Sequence, residues 1–174
     1  MILISLISVA FLFLILYSDS KTRQIPITYL LAETILSLCL GFMQISISLF
    51  RSTITNLMII GIQIFVLWFW LKTKNAPLRK NLWSSFGKGD LFMLGILAIN
   101  FSALNYLFFT IFLSIISILI WLGTSTIWKN MDQTIPFAGF LAAGLLVFRI
   151  LRILGIGVNY YSDNFILNLC YGIY

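Results

Sequence analysis

The 174-residue sequence contains no histidine. That removes a Ser-His-Asp triad, a Cys-His pair, a histidine-ligated metal and a haem histidine from consideration. Cysteine is almost as scarce, with only Cys39 in an apolar run and Cys170 near the C-terminus. Two separated thiols fit no zinc-ligand spacing, so no metal and no cofactor is expected. Charge is thin too: 9% of residues are charged, and the acids are Asp19, Glu33, Asp90, Asp132 and Asp163. Lys and Arg number 11, for a net charge of +6, but they sit mainly between apolar runs. Without a basic face interleaved with exposed aromatics, nucleic-acid binding is not expected.

What the chain has is apolar sequence. Hydrophobic residues make up 61% of it and mean hydropathy is +1.06, whereas soluble domains are nearer half apolar and a quarter charged. A chain this short has too little interior to hide so much apolar surface. The expected class is therefore an all-α polytopic membrane protein of about six transmembrane helices. At roughly 20 residues per span, six spans consume about 120 residues and leave only short loops. The lipid bilayer is the first partner implied.

The expected spans are residues 1–18, 27–50, 54–71, two between Asp90 and Trp128 divided near Asn100–Asn105, and one from Pro136 to Leu154. The first could be mistaken for a signal peptide, but it has neither a basic flank nor a small-residue cleavage site. Residues 1–154 form the expected membrane-embedded domain, and residues 155–174 an amphipathic, aromatic tail along the membrane surface. Pro26 suits the first turn of a helix, where its missing N–H costs nothing, and a turn is expected at Arg51–Thr53. Loops after odd-numbered spans carry Lys21, Arg23, Lys72, Lys74, Arg79, Lys80, Lys88 and Lys129; the other side carries Arg51, Arg149 and Arg152. The positive-inside rule then puts the odd loops in the cytoplasm and the N-terminus outside.

Asp19 closes the first span and Asp90 opens the fourth, so two crossings bring both to the same, cytoplasmic, side. Paired carboxylates cannot easily both ionise. The ionised one can take a proton from water while the protonated one polarises a carbonyl, which is aspartic-protease chemistry and requires none of the missing residues. Asp90 ends Gly87-Lys88-Gly89-Asp90, whose glycines permit tight backbone and close approach of an extended substrate. Taken alone, Asp19 reads first as a solvated carboxylate at a helix end, and Asp90 reads equally as an N-cap; it is the two together that point to catalysis.

Three segments together carry a resemblance: Asp19-Ser-Lys-Thr-Arg-Gln-Ile25-Pro26, Gly87 to Asp90, and Ile135-Pro136-Phe137-Ala138-Gly139-Phe140-Leu141-Ala142-Ala143-Gly144. In order and spacing the chain resembles the prepilin peptidases, type IV leader peptidases among the G-x-G-D membrane aspartic proteases. The resemblance implies an endopeptidase of the bacterial plasma membrane that removes the basic leader of a prepilin or pilin-like precursor, typically after Gly. Asp19 and Asp90 would be the catalytic pair, and Gly87, Lys88, Gly89, Pro26 and Pro136 the active-site loops. The chain departs from the family's pattern at Ile27, Phe92 and Phe140. It matches the short form, without the paired-CxxC domain that accompanies methylation, so methyl transfer is not carried over.

Glu33, two turns inside the second span, is expensive to bury. It is a candidate for tuning the pair or for a structural bond to Gln63 or Asn100; Lys21 and Arg23 are candidates for tuning or steering. Two rivals stay open: a small proton-coupled transporter using these acids as a relay, and a non-catalytic membrane assembly factor.

Overall fold

The computed structural model describes residues 2–43, 47–73, 87–127, 137–156, 161–164 and 167. Among them the chain is entirely helical: α1 (Ile2–Thr22), α2 (Ile27–Phe42), α3 (Ile47–Thr73), α4 (Lys88–Asn100), α5 (Ala103–Ile127) and α6 (Phe137–Ile153). Two stretches, Ile2–Thr22 and Ala103–Ile120, are long and apolar enough to cross a membrane; Ile27–Phe42 and Phe50–Val66 are shorter apolar helices. α1 packs along α6 and α2, and α4 packs against α2, α3 and α6.

The helix limits follow from local chemistry, with three departures from expectation. α1 runs one turn past Asp19 and stops where Arg23 takes a positive φ of 55°, so Asp19 lies inside the helix. The turn expected at Arg51–Thr53 is helical, and α2 ends earlier, at Phe42. Gly41 weakens that last turn of α2, whereas Arg51 is a good helix former and Ser52 and Thr53 each cost less than a glycine. Asp90 is not an N-cap: α4 starts at Lys88, with Gly87 in the cap position.

The break expected near Asn100 falls at Phe101, which is extended (φ −114°, ψ 145°). There the buried Asn56 of α3 donates through Nδ2 to the carbonyls of Ala98 (3.1 Å) and Phe101 (2.8 Å), meeting acceptors that the helix end leaves orphaned. Of the tail, Asp163 accepts a hydrogen bond from the Leu104 amide at 3.0 Å and Ser162 offers its carbonyl to Asn105 Nδ2 at 2.8 Å. This part of the tail is docked onto the start of α5.

Apolar side chains fill the interior and also cover the outside. Large apolar side chains cover the outer faces, among them Phe13, Met58, Phe65, Ile111 and Leu119. Ser8, Glu33, Ser37, Asn56, Asn100 and Arg149 are buried inside.

Candidate active site

At the end of the bundle where α1 finishes and α4 and α6 begin, the three resembling segments converge. The Gly139 amide donates to Asp19 Oδ2 at 2.6 Å, and the Ala138 amide donates to Asp90 Oδ1 at 2.8 Å. These are the first N–H groups of α6, which have no partner within their own helix and carry the positive end of its dipole. Consecutive Cα atoms are about 3.8 Å apart, so one helix start seats both carboxylates side by side. The two acids are 71 residues apart in sequence, as their numbers show.

The glycines explain how the acids fit. Gly87 donates its amide to Asp90 Oδ2 at 3.2 Å, and the Asp90 amide returns a 3.0 Å bond to the Gly87 carbonyl. A Cβ on Gly87 would stand 2.8 Å from Asp90 Oδ2, one on Gly89 would stand 3.0 Å from Ile25 Cδ1, and one on Gly139 would stand 2.9 Å from Asp19 Oδ2. The G-x-G spacing thus lets Asp90 fold back onto its own turn and lets Ile25, from the first segment, sit against Gly89. Within the protein, Gly87 and Gly139 make room for the acids and Gly89 makes room for Ile25.

Asp19 is nearly buried, at 7% exposure, and its Oδ1 carries no hydrogen bond among the described residues. Asp90 stands at the polar start of α4, ahead of the apolar run from Leu91. Burial raises its pKa to about 6; the negative charge of Asp19 adds to the rise, and the amides of Ala138 and Gly87 oppose it. A carboxylate pair with one elevated pKa can hold one proton between its members near neutral pH.

The remaining expected site residues divide. Arg23 lies close enough to Asp19 for its charge to act there, and its Nη1 is buried without a hydrogen bond among the described residues. Lys21 turns away, donating to Tyr17 Oη at 3.0 Å and lying over that ring. Lys88 is exposed on the first turn of α4, and Pro26, also exposed, is in the N-cap position of α2. Pro136 lies outside the described residues.

Glu33 belongs to a second polar layer that the sequence reading did not assemble. Its Oε1 accepts from Ser8 Oγ (2.8 Å) and Ser37 Oγ (3.1 Å). The Ser37 hydroxyl in turn accepts from Asn100 Nδ2 (2.9 Å) and Arg149 Nη2 (3.3 Å), while the other Arg149 bond from Nη2 reaches Asn100 Oδ1 at 2.5 Å. Asn100 is therefore linked to Glu33 through Ser37, and Gln63 is exposed and plays no part. Arg149, counted above as a charge of the outer side, is fully buried.

Helical register joins the two layers. Ser8 lies 11 residues before Asp19, Asn100 lies 10 after Asp90, and Arg149 lies 10 after Gly139. Each offset is about three turns, so the two layers share a face of each helix roughly 15 Å apart. Between them stand Leu12, Ile15, Met93, Leu97, Leu141 and Leu145, all essentially inaccessible. The legible signal was this spacing of polar residues on two helices, Ser8 with Asp19 on α1 and Asp90 with Asn100 on α4.

No family model, curated protein or solved structure matches the chain.

Proposed function

We propose that this protein is a polytopic membrane aspartic endopeptidase that removes the leader of a prepilin-like precursor at the cytoplasmic boundary of a bacterial plasma membrane. The observation that carries the reading is the seating of Asp19 and Asp90 on adjacent amides of one helix start. It joins the three segments on which the resemblance rests. In the proposed reaction, one carboxylate takes a proton from water, whose oxygen attacks the scissile carbonyl carbon. The protonated partner hydrogen-bonds the carbonyl oxygen. A proton then passes to the amide nitrogen as the C–N bond breaks, leaving a carboxyl and an amine terminus and returning the pair to its starting charge.

The apolar outer surface of the bundle supports the membrane part of the reading, because soluble monomers seldom expose apolar surface on this scale while lipid requires none of it to be hidden. The proposed topology has about six spans, with the N-terminus outside. The proton-relay alternative is less well supported: Glu33 is separated from the acid pair by an apolar layer of six buried side chains.

The test is cleavage of a synthetic precursor, a basic leader ending in Gly followed by an apolar helix, by the purified protein in lipid nanodiscs. The expected result is a single cut after the Gly with the native protein and none with Asp19→Asn or Asp90→Asn. Equal cutting by either variant removes that acid from the mechanism.

A further inference from the structure

Three cations lie within four positions of an acid of the pair: Lys21, Arg23 and Lys88. The structure separates them. Lys21 turns to Tyr17, and Lys88 is exposed on the first turn of α4. Arg23 is the residue at which α1 ends, and its amide donates to the Asp19 carbonyl at 3.1 Å. Residues four apart share a helix face, and the charge of Arg23 acts on Asp19. Ser18 Oγ and Thr22 Oγ1 both donate to the Gln24 carbonyl, at 2.6 and 3.1 Å, which ties down the backbone on either side of Arg23. Its φ of 55° is a left-handed conformation that Gly or Asn would adopt at less cost. Yet an arginine stands there, with Nη1 buried and without a hydrogen bond among the described residues. A guanidinium cannot shed its proton to relieve burial, so the site must supply a balancing negative charge. α6 has no charged side chain before Arg149 and α2 none before Glu33, both in the inner polar layer. On the elements packed here, that leaves Asp19 and Asp90. A pair that holds one proton carries one negative charge, which Arg23 balances.

We propose that Arg23 is a positioning residue that divides the work of the pair, holding the single negative charge on Asp19 and leaving the proton on Asp90; this rests on the endopeptidase reading above. Asp19 then takes a proton from the attacking water as the water oxygen bonds to the scissile carbon, and passes that proton to the amide nitrogen as the C–N bond breaks. Asp90 keeps its own proton, hydrogen-bonded to the carbonyl oxygen throughout. The surroundings of the two acids agree with this assignment. Burial pushes Asp90 up to about 6, and the charge of Asp19 adds to the rise. The shorter amide bond also falls on Asp19, 2.6 Å from Gly139 against 2.8 Å from Ala138 to Asp90.

The test uses the full chain in lipid nanodiscs and has two readouts. The first is the pH profile of kcat on the synthetic leader-plus-helix precursor. Without the cation the pair takes up its second proton at higher pH. Arg23→Gln should therefore move the acidic limb up by about one unit and cut kcat on that limb about tenfold, with KM unchanged. Arg23→Lys, which keeps the charge, should return the limb toward its native position. The second readout is infrared titration of the carboxyl groups, read against Asp19→Asn/Asp90→Asn, which needs no cleavage. The acid left in Asp90→Asn should ionise at lower pH than the acid left in Asp19→Asn, and adding Arg23→Gln should shrink that gap. An unmoved limb with Arg23→Gln, a loss confined to KM, or the reverse order of ionisation would overturn the proposal. Were Arg23→Gln to fail to fold, the order of ionisation in the two single variants decides the matter. A native protein that leaves the precursor uncut yet shows the expected order sinks the endopeptidase reading and retains the charge assignment.

Discussion

Asp19 and Asp90 accept hydrogen bonds from the neighbouring amides of Gly139 and Ala138, so the start of α6 sets the spacing of the two acids. Neither α1 nor α4 positions them alone. The chemistry proposed for the pair depends on a third segment that contributes no side chain to it, and the consequences can be tested at that segment.

Gly139→Ala should be far more damaging than its size suggests. The added Cβ would stand 2.9 Å from Asp19 Oδ2 and 3.3 Å from Asp19 Cβ, so the carboxylate must move off the amide. A displacement near 1 Å at reacting groups costs on the order of 100-fold in rate. Steady-state cleavage should show that loss in kcat with the protein still folded. Gly61→Ala, which meets nothing, should leave the rate unchanged.

The elevated pKa of Asp90 has a consequence for stability. Its ordinary value is 3.8 and the folded value is about 6. A group raised in the folded state contributes stability that is complete below the ordinary value and is lost as pH rises through the folded one. Native protein should therefore lose thermal stability between pH of about 4 and 6, and Asp90→Asn should lose less over that interval. Parallel pH profiles for the two would show that Asp90 is not perturbed by its burial.

The inner polar layer should behave as a unit. Arg149→Leu leaves Glu33 and Asn100 buried without their cation, a change that typically costs about 3–5 kcal/mol. The double variant Glu33→Leu/Arg149→Leu should recover part of that loss, because both charges are then gone. Unfolding in mixed micelles measures the coupling, and additive losses would mean that the two residues act independently. Ser37→Ala should also destabilise, since that hydroxyl joins Glu33, Asn100 and Arg149.

Topology is open to thiol labelling in a background lacking Cys39 and Cys170. Cysteine at Ser20, one position from Asp19, should be shielded from an impermeant reagent added outside cells. Cysteine at Met43, an exposed residue at the end of α2, should react. The reverse pattern would invert the orientation, and equal labelling would break the two-crossing argument.

Much of the outline was legible because apolar runs and polar breaks mark helices directly. Phe137–Ile153 lies within the expected last span, and the extended Phe101 within the expected break. The end of α2 was not legible, because Arg51 interrupts hydropathy without interrupting a helix. The acid pair could be read from parity and from three short segments. That Gly139 and Ala138 seat it could not, since a backbone amide leaves no mark in side-chain chemistry. Arg149 was misread for a related reason: positive-inside counting treats every cation near a span end as solvated, and only the register with Glu33, Ser37 and Asn100 reveals a buried one.

The most direct measurement is the intact mass of a prepilin-like precursor co-expressed with the protein. The native chain should give a product lighter by the mass of the leader, and Asp19→Asn or Asp90→Asn, present at equal membrane levels, should leave the precursor uncut. Leader removal that persists in both variants, or no removal by the native chain, would contradict it.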